Sequence, residues 1–272
     1  MGYEVVKNPV HVGWYPVDYT NSTAQTCYIG QIVVLGPTGS TNGVKPWVIA
    51  GVADTTADWI PFGVVIGTNN RTPLYNATYG AEYITSVRTQ AAQVARDWTG
   101  QEGMFSKGDP QALVQVAVLG PHTVLKGRIF NGAYGTAPTV ATVTTGSSDG
   151  TGYTSSANEF TPVAYKATYY CRKGANAGLY RTSYDTSTTT KTFYGPNWPY
   201  DIAVGDQFVG SNLVLGTTTG MLDSLGMWIE NSAAVMTTNY IFMDVLELNL
   251  STAGEEYAIF KLNTLQYLGV RA

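Results

Sequence analysis

A mainly β fold is predicted, built of short-stranded β-barrel or β-sandwich domains with an extended N-terminal arm and at most one or two short helices. Three observations predict it. Charged residues make up only 12% of the 272, about half the share of an ordinary globular chain. Tyrosine (19) and glycine (30) are both frequent; flat and branched side chains suit a pleated surface, and glycine supplies tight turns. Apolar runs are short and are separated by turn residues at the spacing of sandwiches and barrels.

Residues 1–26 alternate weakly, carry Pro9 and Pro16 and show no helical period, so they are expected to extend as an arm. A first strand is predicted over Cys27 to Leu35, ending in Gly36-Pro37, followed by strands over Trp47 to Val52 and Phe62 to Ile66. Thr89 to Trp98 places Ala91, Val94, Ala95 and Trp98 at helical offsets before Gly100, which makes it the helix candidate. Strands follow over Leu113 to Leu119 and Thr123 to Phe130. The Gly, Thr and Ser-rich stretch from Asn131 to Asn158 is expected to be a long loop or hinge. Short strands then resume over Thr161 to Cys171, Gly178 to Tyr184, Thr189 to Tyr194, Gln207 to Leu215, Met227 to Ile229, Tyr240 to Leu250 and Ala258 to Leu262. The expected organisation is thus an arm (1–26), a β-rich domain (27–145) and a second β-rich domain (146–272). A Gly-Asp turn, an apolar strand and Leu-Gly recur in both halves (residues 108–120 and 205–216), which reads as reuse of one hairpin design.

Charge and chemistry narrow the function. A net charge of −4 offers no basic excess to displace counterions from phosphates, so nucleic acid is not an expected partner. No apolar run reaches the roughly 20 residues of a membrane helix, and MGYEVVKNPV lacks the layout of a signal peptide, which predicts synthesis in the cytoplasm and no membrane partner. Cys27 and Cys171 lie far apart without ligand spacing and read as buried, small apolar residues rather than a disulfide or zinc site. His11 and His122 have no second ligand at metal spacing, so no metal site is expected. Asp149, in SSDGTG, is a single carboxylate where a calcium cage needs several. Asp54-Thr55-Thr56 and Asp185-Thr186-Ser187 resemble the paired signatures of aspartic proteases, but Asp185 sits in a Thr and Ser loop with no apolar strand before it, so both read as turn aspartates. GSTNGVK (39–45) has the wrong glycine spacing for a phosphate cradle. No catalytic residue and no cofactor are therefore expected.

Aromatic surface remains. The chain has six tryptophans, Trp14, Trp47, Trp59, Trp98, Trp198 and Trp228, and such side chains anchor interfaces with large area at low entropic cost. In the arm, Tyr3, Val5, Val6, Val10, Trp14 and Tyr15 precede the first strand and are expected to contact another protein or a neighbouring subunit, for instance by adding a strand to an exposed sheet edge; the alternative is an edge strand of their own sheet.

The segments GQIVVLGP, IPFGVVIGTNNRTPLYN, SKGDPQALVQVAVLGPHTVLKGRIFNG and DIAVGDQFV together resemble the decoration (cement) proteins of tailed-bacteriophage heads. Those proteins share "Gly-x-Val-Val", "apolar-Gly-Val-apolar" and "Gly-Asp-x-x-x-Val-x-Val" segments in a compact β fold. The resemblance covers about the first 130 residues and carries no catalytic motif. It implies a virion protein on the outer capsid surface, bound to the major capsid protein, often as a homotrimer, that bridges capsomers. The rival expectation is a carbohydrate-binding head-fibre or tail-fibre module in which loops such as Tyr194 to Tyr200 (YGPNWPY) stack on host glycans.

Overall fold

The structure is a computed structural model, and it describes residues 2–17, 25–35, 43–47, 61–69, 74–85, 112–155, 167–183, 190–193, 197–215, 221–223, 225–231 and 243–262. Among these residues every regular element is a strand and there is no helix, so the protein is mainly β. The helix candidate at Thr89 to Trp98 lies outside the described residues. The chain divides into two compact units: Met1–Gly127 with Leu222–Trp228 and Leu262–Ala272, and Arg128–Met221 with Ile229–Lys261.

In the first unit the strands are β1 (Glu4–Lys7), β2 (His11–Pro16), β3 (Thr26–Tyr28), β4 (Ile32–Leu35), β5 (Val44–Pro46), β6 (Pro61–Thr68), β7 (Leu74–Asn76), β8 (Ala81–Thr85) and β9 (Leu113–Val118). They form an antiparallel sheet in the order β2-β9-β6-β4-β5 and a smaller one in the order β3-β8-β7. β1 pairs antiparallel with the start of β10 (Val124–Phe130), Glu4 opposite Lys126. The core is aliphatic: Val33, Val65, Val114 and Val116 present one face of the larger sheet, and Cys27 and Ile84 join them from the smaller. Tyr15 and Phe62 close its margin edge to face, ring centroids 5.0 Å apart, a geometry that aligns a ring edge with a ring face.

Cys27 to Leu35, expected as one strand, is two strands in different sheets. Gly30 breaks it, at φ +85°, a left-handed conformation in which only glycine is unstrained. Gln31 then fastens the corner: its side-chain oxygen accepts the Tyr28 N–H at 3.0 Å and its amide donates to the Leu225 carbonyl at 2.9 Å. Such bonds satisfy backbone groups that a turn takes out of the ladder.

Residues 2–17, expected as an arm, are strands paired within their own unit. Pro16 does not prevent this, because it stands on an edge strand, where a missing N–H is tolerated.

The second unit contains the end of β10 and β11 (Val140–Thr145), β12 (Gly152–Ser155), β13 (Ala167–Lys173), β14 (Tyr180–Ser183), β15 (Thr190–Thr192) and β16 (Gln207–Ser211). The chain then passes through β17 (Met221–Leu222) to β18 (Ile229–Glu230), β19 (Met243–Asn249) and β20 (Tyr257–Leu262). A six-stranded antiparallel sheet runs β14-β13-β16-β11-β12-β15. The stretch from Asn131 to Asn158 is therefore not a hinge: it supplies β11 and β12, because alternation buries Ala141 and Val143 on one face despite the loop-like composition. This unit's core is aromatic. Tyr153 stacks on Phe208 at 4.6 Å, and Tyr169, Phe193 and Trp198 meet that pair edge on or tilted.

Candidate interaction surface

In the first unit, β1, β2, β6, β7 and the turn before β8 frame an open groove of 820 Å³. Its apolar lining includes Val5, Val6, Val12, Ile66 and Tyr75, and Glu4, Lys7 and Glu82 stand around it. At one point two backbones touch. The Tyr3 N–H donates to the Gly30 carbonyl at 2.7 Å, and a Cβ on Gly2 would lie 2.4 Å from that same oxygen. Only glycine permits this approach, which brings β1 against the corner between β3 and β4.

A carboxylate loop holds β1 from the other side. Asp223 is buried and accepts the N–H groups of Leu225, Met227 and Trp228 at 2.8, 2.6 and 2.7 Å. Those bonds present the Trp228 carbonyl to the Tyr3 hydroxyl, which donates to it. Beside the groove, Tyr28 meets Tyr79 and Tyr83 at 5.2 and 5.6 Å, and Tyr79 stacks on Trp228 at 6.5 Å. Burial raises the pKa of Tyr28, partly offset by the amide of Asn76.

The six side chains expected at an interface separate into three groups. Tyr3 is only 3% exposed and anchors β1 instead of presenting a contact. Val5 and Tyr15 are half-buried, Tyr15 against Phe62. Val6, Val10 and Trp14 are exposed, Val10 to 67% and Trp14 to 52%. Val12, Ile66, Leu74 and Tyr75 are also exposed and escaped the sequence reading; Ile66 and Tyr75 come beside β1 through strand pairing, not proximity along the chain. A signal existed for Tyr75, an aromatic in the turn-rich run TPLYN.

Other expected positions are plain. His11 and His122 are exposed, and among the described residues no group of three metal-ligating side chains occurs. Asp149 caps its own turn through the Thr151 N–H and hydroxyl at 3.1 and 2.6 Å, which lowers its pKa. Asp54 and Asp185 lie outside the described residues. Cys27 and Cys171 are buried free thiols; burial pushes Cys171 up to about 11 and raises Cys27 further. Trp47, Trp198 and Trp228 are buried, while Trp59 and Trp98 lie outside the described residues. No described helix is long and apolar enough to cross a membrane.

No protein-family model matches the chain, and no curated protein and no solved structure matches it.

Proposed function

We propose that this chain is a structural virion protein that binds the outside of an icosahedral phage head and bridges its capsomers, docking on the major capsid protein through the groove of the first unit. The observation that carries this reading is the clustering of exposed Val6, Val12, Ile66 and Tyr75 along that groove. Apolar side chains gathered in one concavity mark a protein contact, whereas scattered ones need no explanation. The resemblance of the first 130 residues or so to decoration proteins supplies the partner. The groove is held open by contacts internal to the unit, Gly2 on Gly30 and Tyr3 on Trp228, so little ordering cost falls on binding.

The test is reconstitution. Heads stripped of the protein should release DNA at a lower temperature, and adding it back should restore the release temperature. Val6→Asp and Tyr75→Ala should weaken that restoration while leaving the protein's own melting temperature unchanged. Equal release with and without the protein rejects the reading.

The carbohydrate-binding alternative has less support. In the loop proposed to stack on glycans, Trp198 is only 3% exposed and packs edge on against Phe193 and Phe208, which leaves Tyr200 as its exposed described aromatic.

A further inference from the structure

Among the described residues the outer edge of β2 is unpaired at Val12 and Trp14, and there it is complementary to itself. The Val17 N–H donates to the Ala112 carbonyl at 2.8 Å, and the register of β2 on β9 runs without a shift from His11 opposite Val118 to Pro16 opposite Leu113. Backbone groups alternate in direction along an antiparallel strand, so His11, Gly13 and Tyr15 turn theirs toward β9 as Val17 does. Val12, Trp14 and Pro16 turn theirs away; beyond Pro16, Val17 bridges Val44 of β5 in parallel, so the edge left unpaired among the described residues is the part that carries Val12 and Trp14. No hydrogen bond joins the backbones of Val12 and Trp14 to a described residue on that side. These two outward positions flank Gly13 symmetrically.

We propose that a second copy of this chain covers this edge, the two β2 strands pairing antiparallel about a two-fold axis through Gly13. Val12 then faces Trp14 of the partner subunit, Trp14 faces Val12 of the partner subunit, and each facing pair exchanges both of its N–H···O bonds. The same symmetry that makes a two-fold interface self-complementary is already present in the strand. On one face the pairing sets an indole beside a β-branched side chain, a favourable cross-strand neighbour. The central pair is Gly13 with Gly13 of the partner subunit, at a position that is not hydrogen bonded and where strands approach most closely. The space of a Gly13 Cβ is already filled by its own chain's His11 Nε2 at 2.8 Å and Tyr15 Cε2 at 3.2 Å.

Charge selects a copy of itself as the occupant. HVGWYP contains no Asp, Glu, Lys or Arg, so the symmetric pairing brings no like charges together, and the edge lacks the lysines that ordinarily keep exposed strands apart. Area sets the strength. One short strand buries far less than the roughly 1,200 Å² of a specific stable interface, so the pair dissociates in the micromolar rather than the nanomolar range. The inference does not depend on what the protein decorates.

Sedimentation of the full chain across micromolar concentrations, with hydrogen exchange read at single amides, tests it. The expected result is a monomer–dimer equilibrium in which the Val12 and Trp14 amides gain protection as concentration rises. Val12→Lys and Trp14→Glu should each weaken the dimer about tenfold by placing a charge beside an apolar partner. The double variant V12K/W14E sets the two new charges opposite each other across the axis and should recover most of the loss. A monomer or a trimer throughout, with both amides unprotected, overturns the proposal. So does a double variant that dimerises no better than the singles while all three melt like the parent protein. If a single variant does not fold, the exchange pattern of the parent protein alone decides.

Discussion

The hydroxyl of Tyr3 donates a hydrogen bond to the backbone carbonyl of Trp228, 225 positions along the chain. That carbonyl also accepts the Asp223 N–H at 3.0 Å, so one oxygen ties the first strand of the unit to a loop contributed from far downstream. Tyr3→Phe keeps the ring buried and removes one of the two donors. The expected cost is about 1 kcal/mol, read as a lower urea midpoint with an unchanged slope, with the groove still formed.

Asp223 should matter more. Its carboxylate satisfies three backbone N–H groups of residues 225–228, and Asp223→Ala strands them in a buried place. A loss of about 3 kcal/mol or more is expected, with Asp223→Asn intermediate because one carbonyl oxygen remains. Chemical denaturation of the three proteins checks the order.

Gly30→Ala should be the most damaging small substitution in the first unit. The residue has φ +85°, and a Cβ there would stand 2.5 Å from the Gly2 Cα, so strain and collision act together. About 3 kcal/mol is expected. Thermal melting of G30A beside a control alanine at Gly132, where a Cβ meets nothing within 4 Å, separates collision from backbone strain.

The Cys171 thiol gives a pH signature. Its folded pKa, about 11, is above its unfolded value, so its contribution is fully present below about pH 8.5 and is lost as pH rises toward 11, up to about 3 kcal/mol. Urea midpoints measured from pH 8 to 11 should fall, and Cys171→Ala should remove part of the fall, the remainder belonging to Cys27, whose pKa burial raises further. Both native thiols should resist alkylation at pH 8 and react once the protein is unfolded.

Arg172 and Glu256 form a buried ion pair in the second unit, and the Arg172 Nε also donates to the Leu250 carbonyl at 2.6 Å. Arg172→Ala leaves the carboxylate buried alone and should cost about 3–5 kcal/mol. The double variant R172A/E256Q should lose less than the two single losses added together, which a denaturation cycle measures.

Much of this architecture was legible in the chain because strands are local. The runs at Leu113 to Leu119, Thr123 to Phe130 and Ala258 to Leu262 carry the period of two and form β9, β10 and β20 within a residue or two of the expected ends. Burial of both cysteines followed from their isolation and small apolar character. Composition misled at Asn131 to Asn158, where threonines stand on the outward positions of β11 and hide the alternation.

The sequence by itself determined the β character, the turn positions and the abundance of aromatic side chains, since these depend on residues close together in the chain. Which aromatics reach the surface was decided only by tertiary structure. Tyr3 and Trp14 look alike in the N-terminal segment, yet one is sealed under the Trp228 loop and the other projects from an open edge. The direction of a strand side chain is set by the register with its neighbour, and here the neighbour, β9, lies about a hundred residues away. The groove has the same origin: Val6, Ile66 and Tyr75 become one surface only after pairing between distant strands has closed loops whose length no local pattern records.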